Sequence, residues 1–481
     1  MSEIKQQLVD NTIWKLIDRF ASLGISLICT FVLARFLTPE DYGIVGMLTI
    51  FTAICTSLVD SGVSQAVIRE KNVTNEDYST VLYFNLIIAV VLYLILYFSA
   101  GLIARFYHQP ILEDVAKVSF LTLPINALSI VQVTKLSRDL RFKKQCIITL
   151  STSLISAIVT IYFGWQYKSL WVLVFQPIIA ESLKTILLWI TSDFKLKFVF
   201  SLGVIKHYLS FSKNVLVSNL IGTFFNNLNG LLIGRFYTPT DLGFFSQAQR
   251  INNVASQHSA YVIQTVSYPV LSKLNNENND IKYAYKKIIV TTMIFVGCIM
   301  ALVLSLSFDL FEVLMGSQWR HAGLFLLLLG LNGMLSPLYS VNQNILMVKG
   351  DSGTILKLEI VRRSIMILVL LVTLQFNVYV FTAGLSFYTF ILLFLNLYYC
   401  GKPINYSVKE QLKDLLPIYL KQILSVVICL LVAYCMRDAN LYIRFATVAL
   451  LSILLSYLSF RKNAYLRDVL KMLPGIKTFI H

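Results

Sequence analysis

One decapeptide occurs twice in this chain. Each copy stands between two apolar runs of about twenty residues, the length that crosses a bilayer as a helix. The first copy reads Ala34-Arg35-Phe36-Leu37-Thr38-Pro39-Glu40-Asp41-Tyr42-Gly43 and the second Gly234-Arg235-Phe236-Tyr237-Thr238-Pro239-Thr240-Asp241-Leu242-Gly243. Arg, Phe, Thr, Pro, Asp and Gly recur at the same offsets, 200 residues apart. A duplication of this kind confines the chain to an architecture of two similar halves. Arg35, Pro39, Asp41 and Gly43, then Arg235, Pro239, Asp241 and Gly243, mark the turn between the first two membrane helices of each half. Pro ends one helix, Asp caps the next and Gly permits a tight backbone.

At 481 residues, 57% apolar and only 14% charged, the composition is that of an integral membrane protein. The net charge of +16 is dispersed over short loops, without a Lys/Arg stripe or interleaved stacking aromatics, so nucleic acid is not an expected partner. The seven cysteines lie in or beside apolar runs without CxxC spacing and read as small packing residues. The polar N-terminus lacks the cleavage pattern of a signal peptide, so the first span is expected to be permanent. No nucleotide-binding loop, GxSxG, HExxH or paired carboxylates appear, and the five histidines are scattered. No cofactor, no metal and no enzymatic step are expected.

Apolar windows give about fourteen spans, near residues 12–36, 43–67, 80–104, 115–134, 146–166, 169–191, 211–236, 243–268, 288–311, 322–347, 355–375, 378–399, 415–436 and 441–460. An even number places both termini on one side. About 31 of the 41 Lys and Arg fall on that side, about 8 opposite and about 2 within spans, which makes both termini cytoplasmic. No loop exceeds about 25 residues, so function resides among the helices. The repeat puts six spans in residues 1–200 and six in 201–402, and leaves 403–481 as two additional helices and a cytoplasmic tail. Six is even, so the repeat is parallel, about an axis along the membrane normal. The expected fold is an all-α polytopic membrane protein of two six-helix lobes plus two extra helices.

A charge at the bilayer centre costs about 2.5–3.5 kcal/mol on insertion scales, so polar residues in spans should face the interior. In the first span Lys15, Asp18, Arg19, Ser22, Ser26 and Thr30 share one helical face. Its cations either meet an anion or snorkel to the headgroups with Asp18 paired to one of them. The eighth span carries Ser246, Gln249, Arg250, Asn253, Gln257 and Gln264, a stripe unsuited to lipid. The seventh adds Asn219, Asn226, Asn227 and Asn229, and the tenth Asn332, Ser336, Ser340, Gln343 and Asn344. These groups suit sugar hydroxyls, or else join helix to helix. Asp60, after Thr49, Thr52 and Thr56, either carries a proton or sodium ion or caps a kink with Gly62; Asp18 is the second ion-coupling candidate. Lys357, Glu359, Arg362 and Arg363 in the eleventh span either present cations to a diphosphate at the cytoplasmic mouth or form a positive-inside flank, the favoured reading.

The first decapeptide with Met47 resembles the first-loop signature of Wzx-type lipopolysaccharide and polysaccharide flippases, and Trp14, Arg19-Phe20 and Gly24-Ile25 resemble their first helix. Phe211-Ser212-Lys213, Asn227-Leu228, Leu231 to Arg235, Leu242-Gly243 with Phe245-Ser246, and Pro269 to Leu274 are similar to the matching region of the second half. The likeness covers essentially the first 400 residues. It implies membership of the multidrug/oligosaccharidyl-lipid/polysaccharide exporter superfamily, with two lobes in a V and alternating access. The implied cargo is a polyprenyl-diphosphate-linked oligosaccharide, moved to the periplasmic leaflet of the bacterial inner membrane for lipopolysaccharide, capsule or exopolysaccharide synthesis, with coupling to an ion gradient. Membrane lipids surround such a carrier, and the resemblance raises a polysaccharide polymerase and chain-length machinery as further partners. Lys15, Arg19 and Arg250 would supply counter-charge to the diphosphate, and Asn219, Asn226, Gln249, Asn253, Gln257, Asn332 and Gln343 would bind sugar. Two positions depart from the pattern: Asn229 stands where an acid is frequent, and Asp18-Arg19 replaces a Glu-Arg pair. A cation-coupled small-molecule (drug) exporter of the same superfamily is the alternative. A membrane enzyme such as a glycan polymerase would need a longer outer loop.

Overall fold

The computed structural model describes residues 2–258, 267–268, 271–274, 278–461, 463 and 465, and among these all regular structure is helical. Gln264, Pro269, Val270 and the basic tail residues Lys462, Arg467, Lys471 and Lys477 lie outside the described residues. Among the described residues eleven helices are long and apolar enough to cross a membrane, so the chain is a multi-pass membrane protein. Three expected spans fall outside that count. The helix over Leu202–Phe236 is long enough but carries Asn214, Asn219, Asn226, Asn227 and Asn229, and the one over Ser352–Thr373 carries four charges. The span expected at 243–268 is described as far as His258 and again at 267–268.

Packing divides the chain into two compact units, Met1–Gly243 and Phe244–His481. In the first, α1 (Ser2–Ala34) leads into a second span made of α2 (Pro39–Met47), α3 (Thr49–Asp60) and α4 (Val63–Arg69). Then follow α5 (Asn75–Tyr107), α6 (Leu112–Ser119), α7 (Thr122–Arg138), α8 (Phe142–Tyr167), α9 (Trp171–Ile190) and α10 (Leu202–Phe236). α1 lies against α8, α8 against α9, α9 against α7 and α7 against α5. α10 packs on α3, α4 and α5, which carries this unit past the start of the second repeat at residue 201. Duplication and packing thus draw different lines through the chain. Val63, Tyr78, Val131, Phe194 and Tyr208 form one of its buried clusters.

The repeated turn has the same chemistry in both copies. Thr38 is the N-cap of α2, Pro39 takes the first helical position, and Asp41 accepts from the Thr38 backbone N–H at 2.8 Å while its own N–H donates to Thr38 Oγ1 at 3.3 Å. Thr238 and Asp241 repeat this box at 3.3 and 3.1 Å at the start of α11 (Pro239–Asn253). Thr caps and Asp closes the box, a sharper division of labour than a capping Asp alone. The glycines do more than turn. A Cβ on Gly43 would stand 1.7 Å from the Pro239 carbonyl oxygen, and one on Gly243 would stand 1.9 Å from that of Pro39. The two copies therefore clasp each other reciprocally, backbone against backbone.

In the second unit the Asn278–Ser305 helix packs against those over Ala322–Val348, Val408–Cys435 and Leu441–Phe460. Gln422 Nε2 donates to the Met293 carbonyl at 3.0 Å, so the last two helices share this unit's core. All seven cysteines are free thiols, and Cys29, Cys55, Cys146, Cys400 and Cys429 are buried.

Candidate functional site

The second span is interrupted where α3 meets α4. Ser61 and Gly62, with φ of 49° and 67°, are consecutive left-handed residues, a conformation that favours glycine and ends a helix. Gly62 is required twice over, because a Cβ there would meet Ser212 Cβ of α10 at 3.2 Å. Asp60, the last residue of α3, is beside this kink with its carboxylate bonded to Ser64 Oγ. The kink with Gly62, one of the two sequence options for Asp60, is thus present beside it.

Beside the break, α3 and α10 border an open cavity of about 400 Å³ lined by Thr56, Ser57, Asp60, Ser218, Asn219, Gly222, Thr223 and Asn226. Positions 218, 219, 222, 223 and 226 form one face of α10 by helical spacing. Ser57 Oγ and Thr223 Oγ1 tie the two walls together at 3.2 Å, and Asn227 Nδ2 is spent on the Thr223 carbonyl at 2.8 Å. Asn219 and Asn226 are exposed, and half-buried Asp60 is the single charged group of the lining. The lining offers hydroxyls, amides and one carboxylate, a set able to bind sugar hydroxyls or a hard cation. Ser57, Ser218, Gly222 and Thr223 are not among the residues singled out by sequence, although Ser218, Gly222 and Asn226 fall at four-residue steps on a polar helix.

The charges of α1 lie elsewhere. Lys15 Nζ is 4.1 Å from the centroid of the Phe142 ring on α8, and Lys143 stands over Trp14 at 5.5 Å. Asp18 is half-buried and within electrostatic reach of Lys184 on α9, which is paired to Glu181 at 3.1 Å; Asn126 of α7 donates to the same carboxylate at 3.3 Å. Lys15 and Arg19 are exposed, and neither lines the cavity. Glu181 and Lys184 were legible as charges within the span near 169–191. Lys15 thus lies over an aromatic ring of α8, and the cation within electrostatic reach of Asp18 is Lys184 of α9.

In the second unit Gln249, Arg250 and Asn253 are half-buried on α11, and Gln257 lies in the π-helical turn Val254–His258 that follows. Gln257 Nε2 donates to Asn253 Oδ1 at 3.1 Å. π-turns of this kind recur at functional sites, and this one packs on the Ala322–Val348 helix that carries half-buried Asn332 and Gln343. Neighbouring amides are structural: Asn342 accepts from Tyr285, and Asn344 donates to Ser267 at 2.9 Å. In the Ser352–Thr373 helix Glu359 pairs with Arg363 at 2.7 Å and with Arg362 at 3.5 Å. Among the described residues there is no cluster of His, Cys, Asp and Glu able to hold a metal.

Known proteins share this organisation. The chain is 24% identical to the teichuronic acid biosynthesis protein TuaB of Bacillus subtilis (strain 168), over 74% of this chain and 76% of that one. It is 19% identical to the lipopolysaccharide biosynthesis protein WzxC of Escherichia coli (strain K12), over 72% and 71%. Its fold matches a structure of the lipid II flippase MurJ in an inward closed conformation, with a TM-score of 0.71 and 16% identity over 96% of this chain and 99% of that one. A family model described as polysaccharide biosynthesis protein matches residues 32–323, more than half of the chain and both copies of the repeated turn. The chain belongs to this polysaccharide biosynthesis protein family.

Proposed function

We propose that this protein is a flippase that moves a polyprenyl-diphosphate-linked oligosaccharide from the cytoplasmic to the outer leaflet of a bacterial plasma membrane, by alternating access and without covalent chemistry. The observation that carries the reading is the hydroxyl- and amide-lined cavity between α3 and α10, a lining suited to sugar hydroxyls among the helices of a chain from a polysaccharide biosynthesis family. Relatives named for teichuronic acid and lipopolysaccharide biosynthesis support it over export of small drugs. Asn219 and Asn226 in the first unit, and Gln249, Asn253, Gln257, Asn332 and Gln343 in the second, are the sugar ligands of this reading. Lys15, Arg19 and Arg250 offset the diphosphate charge, while the lipid tail stays in the bilayer. Residues 1–200 and 201–402 act as the two lobes, 403–481 as the added helices and tail, and both termini are cytoplasmic. The flipped unit requires a polymerising reaction to consume it outside.

Deleting the gene in its native host tests this reading, with lipid extracts analysed by mass spectrometry alongside surface glycan. One complete lipid-linked unit should accumulate while a surface polymer disappears; unchanged lipids and glycan in a strain without a second transporter would refute the proposal. Arg250→Ala, expressed at wild-type level, should fail to restore export.

A further inference from the structure

The connection between α9 and α10, residues 192–201, carries the chain from the first repeat into the second and is irregular throughout. Phe194 fixes its start in the buried cluster with Tyr78, Val131 and Tyr208. Beyond that point Phe198 is 92% exposed, Leu202 66% and Phe200 46%, and Leu196 and Val199 are exposed as well. Five large apolar side chains bared within seven residues of a loop mark a surface that meets a membrane or a protein. Exposed Lys195, Lys197 and Lys206 are set among and beside them. The nearby carboxylates are already paired, Asp193 with Arg141 and Glu76 with Lys197. The start of α5 shows how this segment stands to the bilayer. Lys197 Nζ pairs with Glu76 at 3.1 Å, the Lys197 N–H donates to Ser79 Oγ at 3.0 Å, and the Phe198 ring stacks on Tyr83 with centroids 6.5 Å apart. From Glu76 to Tyr83 the helix rises about 10 Å, and its apolar run begins near residue 80. The lysine is therefore at the polar end of this rise and the phenylalanine at the hydrocarbon end. Irregular backbone is tolerated at that depth only where its polar groups are satisfied within the protein. Buried Thr80 does this too, donating to the Val199 carbonyl at 3.4 Å and accepting from the Ser201 N–H at 3.4 Å.

We propose that residues 195–202 are an interfacial anchor for an anionic lipid surface, with Phe198, Phe200 and Leu202 below the headgroups and Lys195, Lys197 and Lys206 among the lipid phosphates. The leaflet is the one on the side of the N-terminus, six expected spans earlier in the chain. The rise of about 10 Å between the lysine and phenylalanine contacts on α5 matches the 5–10 Å to which interfacial segments sink their apolar side chains. Lysines beside a membrane helix draw acidic headgroups, and the attraction fades with salt. A soluble protein docking here would have to enter the headgroup layer to cover Phe198. The surface is independent of the cargo that the protein moves, and it pins the chain to the leaflet where one repeat passes into the next.

The test uses the full-length chain with Cys298→Ser and Cys435→Ser, which removes the two cysteines that are not buried. A nitroxide is attached at Phe198→Cys or, separately, at Lys195→Cys, both exposed positions whose substitution spares the core. Each protein is reconstituted in vesicles of phosphatidylcholine with phosphatidylglycerol, and collisional relaxation is measured with oxygen and with a water-soluble nickel chelate. The label at 198 should respond several-fold more to oxygen than to the chelate, and the label at 195 should show the reverse. A label at 198 as open to the chelate as the one at 195 would place the segment in water and overturn the anchor in favour of a soluble protein partner. The headgroup contact is read separately, from the thermal midpoint of the purified wild type in detergent. Added phosphatidylglycerol should raise it by several degrees more than phosphatidylcholine, and Lys195→Gln with Lys206→Gln should remove at least half of that difference. An equal response to the two lipids, or a difference untouched by the two substitutions, would overturn the recognition of anionic lipid. Neither readout involves transport, so unchanged lipids after gene deletion would sink the flippase reading and leave this surface standing.

Discussion

Glu70, just past the end of α4, is 3.1 Å from His207 Nε2 near the start of α10, and Arg138 Nη2 donates to the Glu70 and Lys71 carbonyls at 3.2 and 2.8 Å. The His207 hydrogen bond, then that of the Lys71 N–H, holds the Glu70 carboxyl below its ordinary range. A carboxylate depressed in the folded state stabilises it above the unfolded value, about 4.3 for Glu, and that contribution disappears as pH falls through the folded value. Asp193, lowered by Arg141, acts in the same sense. Amide exchange should therefore show protection of residues 63–71 and 202–210 falling as pH drops below about 4.3. Glu70→Gln should remove most of that fall at these segments. Protection in the wild type that stays flat down to pH 3 would show that the contact does not hold α4 to α10.

At the scale of elements, the repeated turn was legible because each shared residue acts locally, Thr as the cap, Pro as the helix start and Asp as the closure of the box. The clasp of Gly43 on Pro239 and of Gly243 on Pro39 was not, since local patterns say nothing about which turn a distant turn touches. The cavity was legible in the same partial way. Asp60, Asn219 and Asn226 stand out as polar residues in spans, but their meeting depends on how α3 and α10 are rotated, and Thr223 is visible only once Ser57 is seen opposite it. The clasp makes a double-mutant prediction. Gly43→Ala and Gly243→Ala each drive a methyl into a proline carbonyl and should each cost about 1–3 kcal/mol. Because both strain the same pair of turns, the double variant should cost less than the sum by at least about 0.5 kcal/mol. Denaturant or thermal unfolding of the four proteins measures this, and strictly additive losses would mean that the two contacts are independent.

At the scale of the whole molecule, the duplication accounts for the first 400 residues and leaves the last two helices without a counterpart, so sequence indicated that they exist and not what they bind. Within the second unit they are fastened by a buried ion pair. Arg444, near the start of Leu441–Phe460, donates from Nε and Nη2 to the two Asp309 oxygens at 2.9 and 2.7 Å and from Nη1 to the Arg437 carbonyl at 3.0 Å. Both side chains are 6% exposed, and Glu312 lies 4.0 Å away while paired to Arg320. Asp309 stands near the end of the span expected at 288–311, yet it is core. Two buried charges recover their desolvation only through each other, so losing one partner hurts far more than losing both. Arg444→Leu should destabilise the protein by about 3–5 kcal/mol, because Asp309 is then buried uncompensated. Arg444→Leu with Asp309→Leu should restore most of that loss, giving a large favourable coupling in the cycle. Unfolding of the purified full-length variants provides the measurement. If Arg444→Leu cost less than about 1 kcal/mol, in the range of exposed pairs, water would be reaching Asp309 and the fastening would rest on apolar packing instead.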